Sequence, residues 1–315
     1  MKKTIYAAAI AMSLLTTGCN DFLEDPKPQG VLDQEQVSNP EYVENLVISA
    51  YAGWISIEDI NSSFSMWNYD VRSDDAYKGG NGTEDGDVFH ALEISQGIMT
   101  TNWNISDMWN RLYQVISRAN TALAVLEQMD EYPLRDQRIG EMRFLRAYGH
   151  FLLKRLYKNI PFAIDATMSP EDYNNLENTL YSNDQGWQII IDDFKFAFDT
   201  LPEIQDEIGR PNRAAAAAFM AKTYLYKAYR QDDPMSNQVT SIDREDLLNV
   251  IKYTDPSIMA ASACALAPDF HNNFRPEPIF ENGPESIWAM QYSFNDGTNH
   301  GNCNWSYGLI VPNIP

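Results

Sequence analysis

The sequence has few cysteines and few basic residues, and each scarcity excludes a class of protein. Three cysteines in 315 residues are too few for a scaffold built from disulfides. The 23 lysines and arginines stand against 44 aspartates and glutamates, which gives a net charge of −21. A chain this acidic does not bind phosphate backbones through bulk electrostatics, so nucleic acid is excluded as a partner. An anionic membrane surface also repels it, unless a covalent group holds the protein there.

Motifs for catalysis or zinc binding are missing as well. The chain has no Gly-x-Ser-x-Gly, no Walker loop and no His-Glu-x-x-His, and its four histidines show no zinc spacing. Glycoside hydrolysis needs two carboxylates around one bond, and Asp74 and Asp75 are the most suggestive pair. Adjacent residues of an extended chain point apart, so these two do not flank one bond. We therefore predict that the protein is not an enzyme.

The N-terminal residues have the features of a secretory signal peptide followed by a lipidation site. Lys2 and Lys3 precede an apolar run, Ile5 to Leu15, which ends just before Gly18 and Cys19. The run is too short to span a bilayer, and a basic start with small residues before a cut site is typical of a signal peptide. Cleavage before Cys19 would leave a lipidated cysteine, as in bacterial lipoproteins. Leu15 lies one residue further from the cysteine than such sites favour, and ordinary secretion is the alternative.

The rest of the chain can form a large, mainly helical core. A hydrophobic content of 44% excludes wholesale disorder, and apolar residues recur at helical spacing from residue 39 onward. The spacing predicts five helices, with stripes at Tyr42–Trp54, Trp109–Leu126, Phe144–Leu152, Trp187–Leu201 and Ala214–Tyr229. We predict a mainly α fold of tetratricopeptide-like helix pairs, with long irregular aromatic-bearing loops and little strand.

Two stretches, 56–107 and 268–315, lack the helical spacing. They combine aromatic residues with glycines or prolines, and long loops in compact domains are usually functional. Within the second stretch, residues 287–292 are strand-like. The last residues form an aromatic loop with nothing after it to cover it, so we expect the chain to continue beyond residue 315.

Several segments, in this order, carry a resemblance to a known family. They are Cys19–Glu24, Trp109–Tyr113, Ser117–Asn120, Glu141–Tyr148, Asn159–Pro161, Arg213–Ala218 and Pro284–Trp288. The ordered set resembles the RagB/SusD family of outer-membrane lipoproteins from Bacteroidetes. Because members of that family are longer, the resemblance implies that this chain is the N-terminal part of one.

The resemblance implies a domain plan and a location. It implies a signal peptide over residues 1–18, a tether over 19–38 and a SusD-like helical domain over 39–315 that is incomplete at its C-terminus. Acidic residues just after Cys19 are similar to signals that send such lipoproteins to the outer leaflet, so we expect a lipid-anchored protein of the outer membrane that faces the exterior. Cys264 and Cys303 are the remaining thiols, and whether they pair stays open.

The resemblance also implies a function. The family captures oligosaccharides without cleaving them and passes them to a TonB-dependent, SusC-like transporter, over which the lipoprotein sits as a lid. The alternative is a helical-repeat protein that binds peptide or protein cargo at the cell surface. A glycan array that stays blank while pull-downs recover peptides would favour the alternative.

Candidate glycan contacts lie in the two irregular stretches. Aromatic faces stack on sugar rings, while Asp, Asn and Arg bond hydroxyl groups. The first stretch offers Trp67, Arg72, Asp74, Asp75, Tyr77 and Trp103, and the second offers Asn304, Trp305 and Tyr307. Trp103 and Trp305 are the leading candidates, with a plug over the helical core as the alternative for each. We expect Trp109, Trp187 and Trp288 to lie in the core, because their neighbours have regular spacing.

One acidic turn raises the question of a calcium site. Asn81, Thr83, Asp85 and Asp87 are spaced like calcium ligands, but Leu92 stands where the loop would need a bidentate acid. A solvated acidic turn explains the same pattern. We predict no cofactor, with calcium near Asp85 and Asp87 as the alternative.

Overall fold

The computed structural model describes residues 39–55, 71–73 and 77–291. The helices in this part of the chain are α1 Pro40–Ile55, α2 Asp87–Glu93, α3 Trp103–Leu126, α4 Arg135–Tyr157, α5 Pro170–Asn174, α6 Asn183–Thr200, α7 Arg213–Ala228, α8 Arg244–Tyr253 and α9 Pro256–Ala261. Tyr229–Arg230 (β1) and Ser241–Ile242 (β2) pair antiparallel, with Tyr229 opposite Ile242. Two short 3₁₀ turns, Phe270–Phe274 and Pro278–Phe280, follow. The fold is mainly α, as predicted.

The long helices pack on one another in chain order. Helix α3 packs on α4, α4 on α6, α6 on α7 and α7 on α8. All five predicted helices are present, and most of their stripes form one continuous buried core. In the described ranges, no helix combines the length and the apolar character that crossing a bilayer requires.

Capping residues set where several of these helices begin. The side chains of Ser182 and Asn212 accept hydrogen bonds from the backbone amides of Gln185 and Ala215, at the starts of α6 and α7. Asp243 accepts the amide of Asp246 in the same way at the start of α8. Each bond satisfies an amide that has no partner inside the helix. The polar residues before the apolar stripes therefore fix the helix boundaries.

Small residues allow the helices to approach closely. A Cβ atom added at Gly149 of α4 would lie 2.7 Å from Cγ1 of Ile116 on α3, so only glycine fits this crossing. The four alanines Ala214–Ala217 at the start of α7 are all buried. Their small side chains permit close packing of α7 on its neighbour α6.

The structure differs from three of the predictions made from the sequence. The stretch 56–107 is not wholly irregular, because it contains α2 and the first turn of α3, which begins at Trp103 instead of near Trp109. Helices α8 and α9 lie outside the predicted stripes. Residues 287–291 form no strand in the described part of the chain. A strand needs a pairing partner, and this segment is instead held by side-chain bonds.

Of the three tryptophans expected in the core, Trp187 is buried there, and Trp109 and Trp288 pack against the core while partly exposed. Trp288 makes edge-on ring contacts with Phe144 and Tyr148, at centroid distances of 4.8 and 5.3 Å. Trp288 reaches this position without the strand that its neighbours' spacing indicated.

A buried histidine on α4 is expected to make stability depend on pH. Atom Nε2 of His150 accepts the amide of Ala163 at 3.2 Å, and burial, aided by the charge of Arg146, lowers the pKa of this imidazole from 6.5 to about 3. Between these two values the unfolded chain binds a proton that the native protein does not, so stability falls as the pH drops. We expect this group to remove about 2 kcal/mol between pH 7 and pH 5.

Urea unfolding of the wild type and of His150→Gln at the two pH values measures this loss. The glutamine oxygen can still accept the Ala163 amide, and carboxylates that titrate in both proteins cancel in the comparison. An equal loss in both proteins would show that His150 does not carry the effect.

Candidate functional site

A cleft of about 200 Å³ lies where α2, α3 and α4 meet the segment 71–73. It is lined by Arg72, Leu92, Ile98, Ile105, Met108, Leu156 and Tyr157, and we call it the Arg72 cleft. Among the described residues, its walls are apolar apart from the Arg72 guanidinium and the Tyr157 phenol. Ile105 and Met108 are one helical turn apart on α3, which places both side chains on one face.

A cluster of aromatic rings packs around Tyr157, one of the residues that line the Arg72 cleft. Trp109 packs on Tyr113 and Tyr157, with both centroid distances 5.0 Å. The Tyr157 hydroxyl donates to the carbonyl of Ile105 at 2.6 Å, and the Tyr113 hydroxyl donates to that of Pro161 at 2.6 Å. Burial raises the pKa of both phenols, so each stays a neutral donor. These bonds fix the start of α3 against the end of α4.

Of the first predicted glycan set, the structure places Arg72 on the lining of this cleft. Arg72 is exposed and lines the cleft, Tyr77 is 87% exposed, and Trp103 is the first residue of the helix that supplies Ile105 and Met108. The side chain of Trp103 is not among the described features. The remaining predicted residues, Cys19, Trp67, Asp74, Asp75, Asn304, Trp305 and Tyr307, lie outside the described residues.

The turn considered for calcium holds a lysine side chain. The Lys78 ammonium donates to the carbonyls of Gly79, Gly82 and Asp85, at 2.9, 2.6 and 2.5 Å. The Asp85 carboxylate accepts the amide of Asn81 at 2.9 Å. The ammonium thus contacts the kind of oxygen ligand that a cation would use.

The absence of a cofactor, with calcium at this turn as the alternative, stays a prediction. The carboxylate of Asp87 accepts the amide of Val88, at the start of α2. Within the described ranges, His, Cys, Asp and Glu side chains form no group of three that could hold a metal ion.

The side chains that line the Arg72 cleft are suited to binding a ligand through apolar contacts and hydrogen bonds. Apolar walls can pack on the CH face of a ligand, while a guanidinium donates to hydroxyl oxygens. The sequence pointed to Arg72 but missed Ile98, Ile105 and Met108. The spacing of Ile105, Met108 and Leu112 does continue the α3 stripe toward the N-terminus, and that signal could have identified the cleft wall.

A family model described as "Starch-binding associating with outer membrane", SusD-like, matches residues 21–225 of this chain. Two curated relatives come from Formosa agariphila. The SusD-like protein P2 is 26% identical over 71% of this chain and 43% of its own length. The SusD-like protein P25 is 22% identical over 94% of this chain and 56% of its own length. The chain therefore spans about half the length of the curated relatives it matches.

Solved structures share the fold at low identity. A SusD-like carbohydrate binding protein from Bacteroides fragilis aligns with a TM-score of 0.63 and 23% identity, over 82% of this chain and 47% of its own. Surface glycan-binding protein A from Bacteroides thetaiotaomicron, solved with laminarihexaose, aligns with a TM-score of 0.63 and 18% identity, over 80% and 49% of the two chains. The protein of that name from Bacteroides fluxus gives 0.61 and 22%, over 80% and 50%.

Proposed function

The chain belongs to the SusD-like family, and from that premise we propose that it binds oligosaccharides at the cell surface and delivers them to a transporter. The observation that carries the proposal is the match of the family model to residues 21–225, which include the whole Arg72 cleft. The family is described as starch-binding and associated with the outer membrane. The similarity to the surface glycan-binding proteins from two Bacteroides species supports a carbohydrate as the ligand class.

The chemistry of the predicted contacts supports a neutral glycan. Tyr77 presents an exposed ring and Arg72 an exposed guanidinium, and these groups can stack on a sugar ring and bond its hydroxyls. The net charge of −21 disfavours anionic chains. We propose Trp103 and Trp305 as the principal stacking residues, assisted by Trp67, Tyr307, Asn304, Asp74 and Asp75.

The proposal includes an anchor and a partner. A lipid on Cys19 would tether the protein to the outer membrane, while the acidic body stays away from the anionic surface. The oligosaccharide would then pass to a TonB-dependent transporter of the SusC type without being cleaved. A transporter gene beside the gene for this chain would support the transfer step.

Alanine at Trp103 or Trp305 is expected to weaken glycan binding. A stacking ring of this kind contributes about 1–3 kcal/mol, so each change should lower the affinity by a factor of about 5 to about 150. Laminarihexaose and starch-derived malto-oligosaccharides are suitable first probes, measured by isothermal titration calorimetry after a glycan array. Tyr229→Ala, at a ring of β1 that is 42% exposed, is the matched control.

Unchanged affinity in both tryptophan variants would remove these residues from the site. Binding of no arrayed glycan, together with recovery of peptides in pull-downs, would favour the cargo-binding alternative. A reducing-end assay on the same sugars tests for cleavage, and turnover that Asp74→Asn abolishes would make the protein an enzyme.

The mature N-terminus is expected to be a lipidated Cys19. Mass spectrometry of the N-terminal peptide from the membrane fraction should show diacylglycerol on the sulfur, because signal cleavage would leave this thiol at the chain end. Cys19→Ala should release the protein from the membrane fraction. An unmodified peptide that starts at another residue would contradict the anchor.

A further inference from the structure

A second cleft, of about 290 Å³, shares no lining residue with the Arg72 cleft. Its walls are the α6–α7 loop, the turn that follows α9 and the segment 282–291. The polar groups on these walls are Gln205, Asn212, Ser262, Cys264, Asn282, Ser286 and Gln291. We call it the Ser262 cleft. Its volume lies near the lower end of the range for ligand pockets, about 300–1,000 Å³, which limits the ligand to a small molecule or one unit of a chain.

The walls of the Ser262 cleft are fixed to one another. The Trp288 indole donates to the carbonyl of Gly209 at 2.8 Å. Gly209 has a φ of +93°, and a Cβ there would lie 2.7 Å from Cγ of Gln291, so glycine is needed for this approach. The side-chain amides of Asn282 and Gln291 donate to each other, both at 3.0 Å. The cleft is therefore formed before any ligand binds, which lowers the entropy cost of binding.

The charged side chains on the cleft wall are already neutralised. Arg210 and Glu207 line the cleft, and they pair with each other. Arg210 also binds Glu44 and Glu141, each at 2.7 Å. Because no charge on the described part of the lining is left without a partner, these residues attract neither an anion nor a cation. A neutral ligand suits this lining.

Three polar groups on the walls have hydrogen-bonding capacity to spare. The Ser262 hydroxyl is buried and has no partner among the residues that the structure describes, although a buried polar group without a partner costs free energy. The Ser286 side chain is exposed and makes no hydrogen bond within the described residues. The Asn212 oxygen caps α7, which leaves its NH₂ group available. Hydroxyl and amide groups can both donate to and accept from the hydroxyls of a ligand.

We propose that the Ser262 cleft is a second binding site, for one neutral sugar ring or an equally small polyol. The site is separate from the Arg72 cleft, and its ligand class rests on the proposed function. Within the described residues, the Ser262, Ser286 and Asn212 groups would bond the hydroxyls, while Trp288 supplies an apolar edge. A chain bound elsewhere on the protein could place a branch or an end in this cleft.

Alkylation of Cys264 reports directly on occupancy, because its free thiol lines the cleft. The full chain is treated with N-ethylmaleimide in the presence of glucose, galactose, mannose or xylose, and peptide mass spectrometry separates the Cys264 adduct from others. We expect at least one of these sugars to slow Cys264 alkylation about tenfold at about ten times its dissociation constant. Glucuronate should give much weaker protection because it is charged.

Ser286→Tyr tests the location, since a bulky side chain at this exposed wall position fills the cleft without touching the core. It should abolish sugar protection of Cys264, while the matched Ser241→Tyr, on β2, should keep it. Calorimetry with laminarihexaose on the same variants tests the proposed function separately. The Ser286 variant is expected to retain oligosaccharide binding at the tryptophans. The sugar site in the Ser262 cleft and the proposed function can therefore be contradicted independently of each other.

Three results would overturn the inference. No protection by any of the four sugars would show that the cleft holds only water, whether or not oligosaccharides bind elsewhere. Protection that survives in Ser286→Tyr would place the sugar outside the cleft. Equal protection by glucose and glucuronate would exclude selection for a neutral ligand.

Discussion

Replacing Glu141 with glutamine is expected to lower the free energy of unfolding by about 3–5 kcal/mol. The Glu141 side chain is fully buried on α4, between two guanidinium groups. Arg138 donates to its Oε1 at 2.7 Å and Arg210 to its Oε2 at 2.7 Å. The Tyr51 hydroxyl donates to Oε2 at 2.8 Å. Glutamine has nearly the same shape but removes the negative charge, so both arginines lose their most buried counter-ion.

The two remaining carboxylates compensate for this loss only in part. Glu44 also bonds both arginines, at 3.0 and 2.7 Å, and its hydrogen bonds from Arg138 and Tyr132 lower its pKa although burial opposes this. Glu207 pairs with Arg210 alone, and its side chain is 62% exposed, so water screens much of its charge. The penalty in Glu141→Gln is therefore that of buried guanidiniums that have lost their one fully buried counter-ion, and it exceeds the net contribution of the intact pair.

Urea unfolding followed by circular dichroism measures the change. Glu177→Gln, at an exposed glutamate, is the control and should change stability by no more than about 0.5 kcal/mol. Adding Arg210→Leu to the Glu141 variant should recover part of the loss, because it removes one stranded charge. If the two single glutamine variants were equally stable, the network would have no energetic role.

Replacing Asp193 with asparagine is expected to destabilise the protein by a similar amount, about 3–5 kcal/mol. Asp193 lies on α6 and receives a two-bond fork from Arg146 of α4, with Nε and Nη2 each 2.7 Å from a carboxylate oxygen. Both side chains are about 5% exposed. Arg143 adds a third bond at 3.2 Å. An asparagine would turn an NH₂ group toward one of these donors and leave the buried Arg146 charge without a counter-ion.

The neighbouring residue gives a matched control for this variant. Asp192 lies on the same helix but is exposed, and it bonds only the side chain of Gln188 in the described structure. Asp192→Asn should therefore shift the urea midpoint little. A loss of equal size in Asp192→Asn would contradict the role given to Asp193.

The Asp193 variant should also loosen the segment that follows α4. Arg146 donates to the carbonyl of Ile164 and to the side chain of Asn120, which in turn donates to the carbonyl of Ala163. Faster amide hydrogen exchange over residues 160–164 would show this local effect. Unchanged exchange there, together with a global loss of stability, would confine the role of Asp193 to helix packing.

The helices could be predicted because their signals are local. Apolar residues spaced three and four apart mark the buried face of a helix, and this pattern located all five predicted helices and the buried position of Trp187. The first residue of a helix was predicted less accurately. Trp103 opens α3 six residues before the predicted Trp109, since Ile105 and Ser106 near its start are not buried and the apolar stripe is weaker there.

The candidate sites could be predicted only in part. Arg72 was chosen for its residue type, and its place on a cleft wall depends on α2, α3 and α4 meeting there. The Ser262 cleft joins residues that are about 80 positions apart in the chain, such as Gly209 and Trp288. No local pattern encodes such a contact.

The sequence by itself determined the class of this protein. Its composition, signal-like N-terminus, helical stripes and ordered family segments excluded a disulfide scaffold and a nucleic-acid binder, and they led to a SusD-like helical protein. Tertiary structure alone decided which polar groups meet. Glu141 is paired with Arg210 across 69 positions, and Lys78 is folded onto the carbonyls of its own turn. The physical reason is that hydrophobic spacing repeats along the chain, whereas hydrogen bonds and ion pairs depend on distances that only the packed helices set.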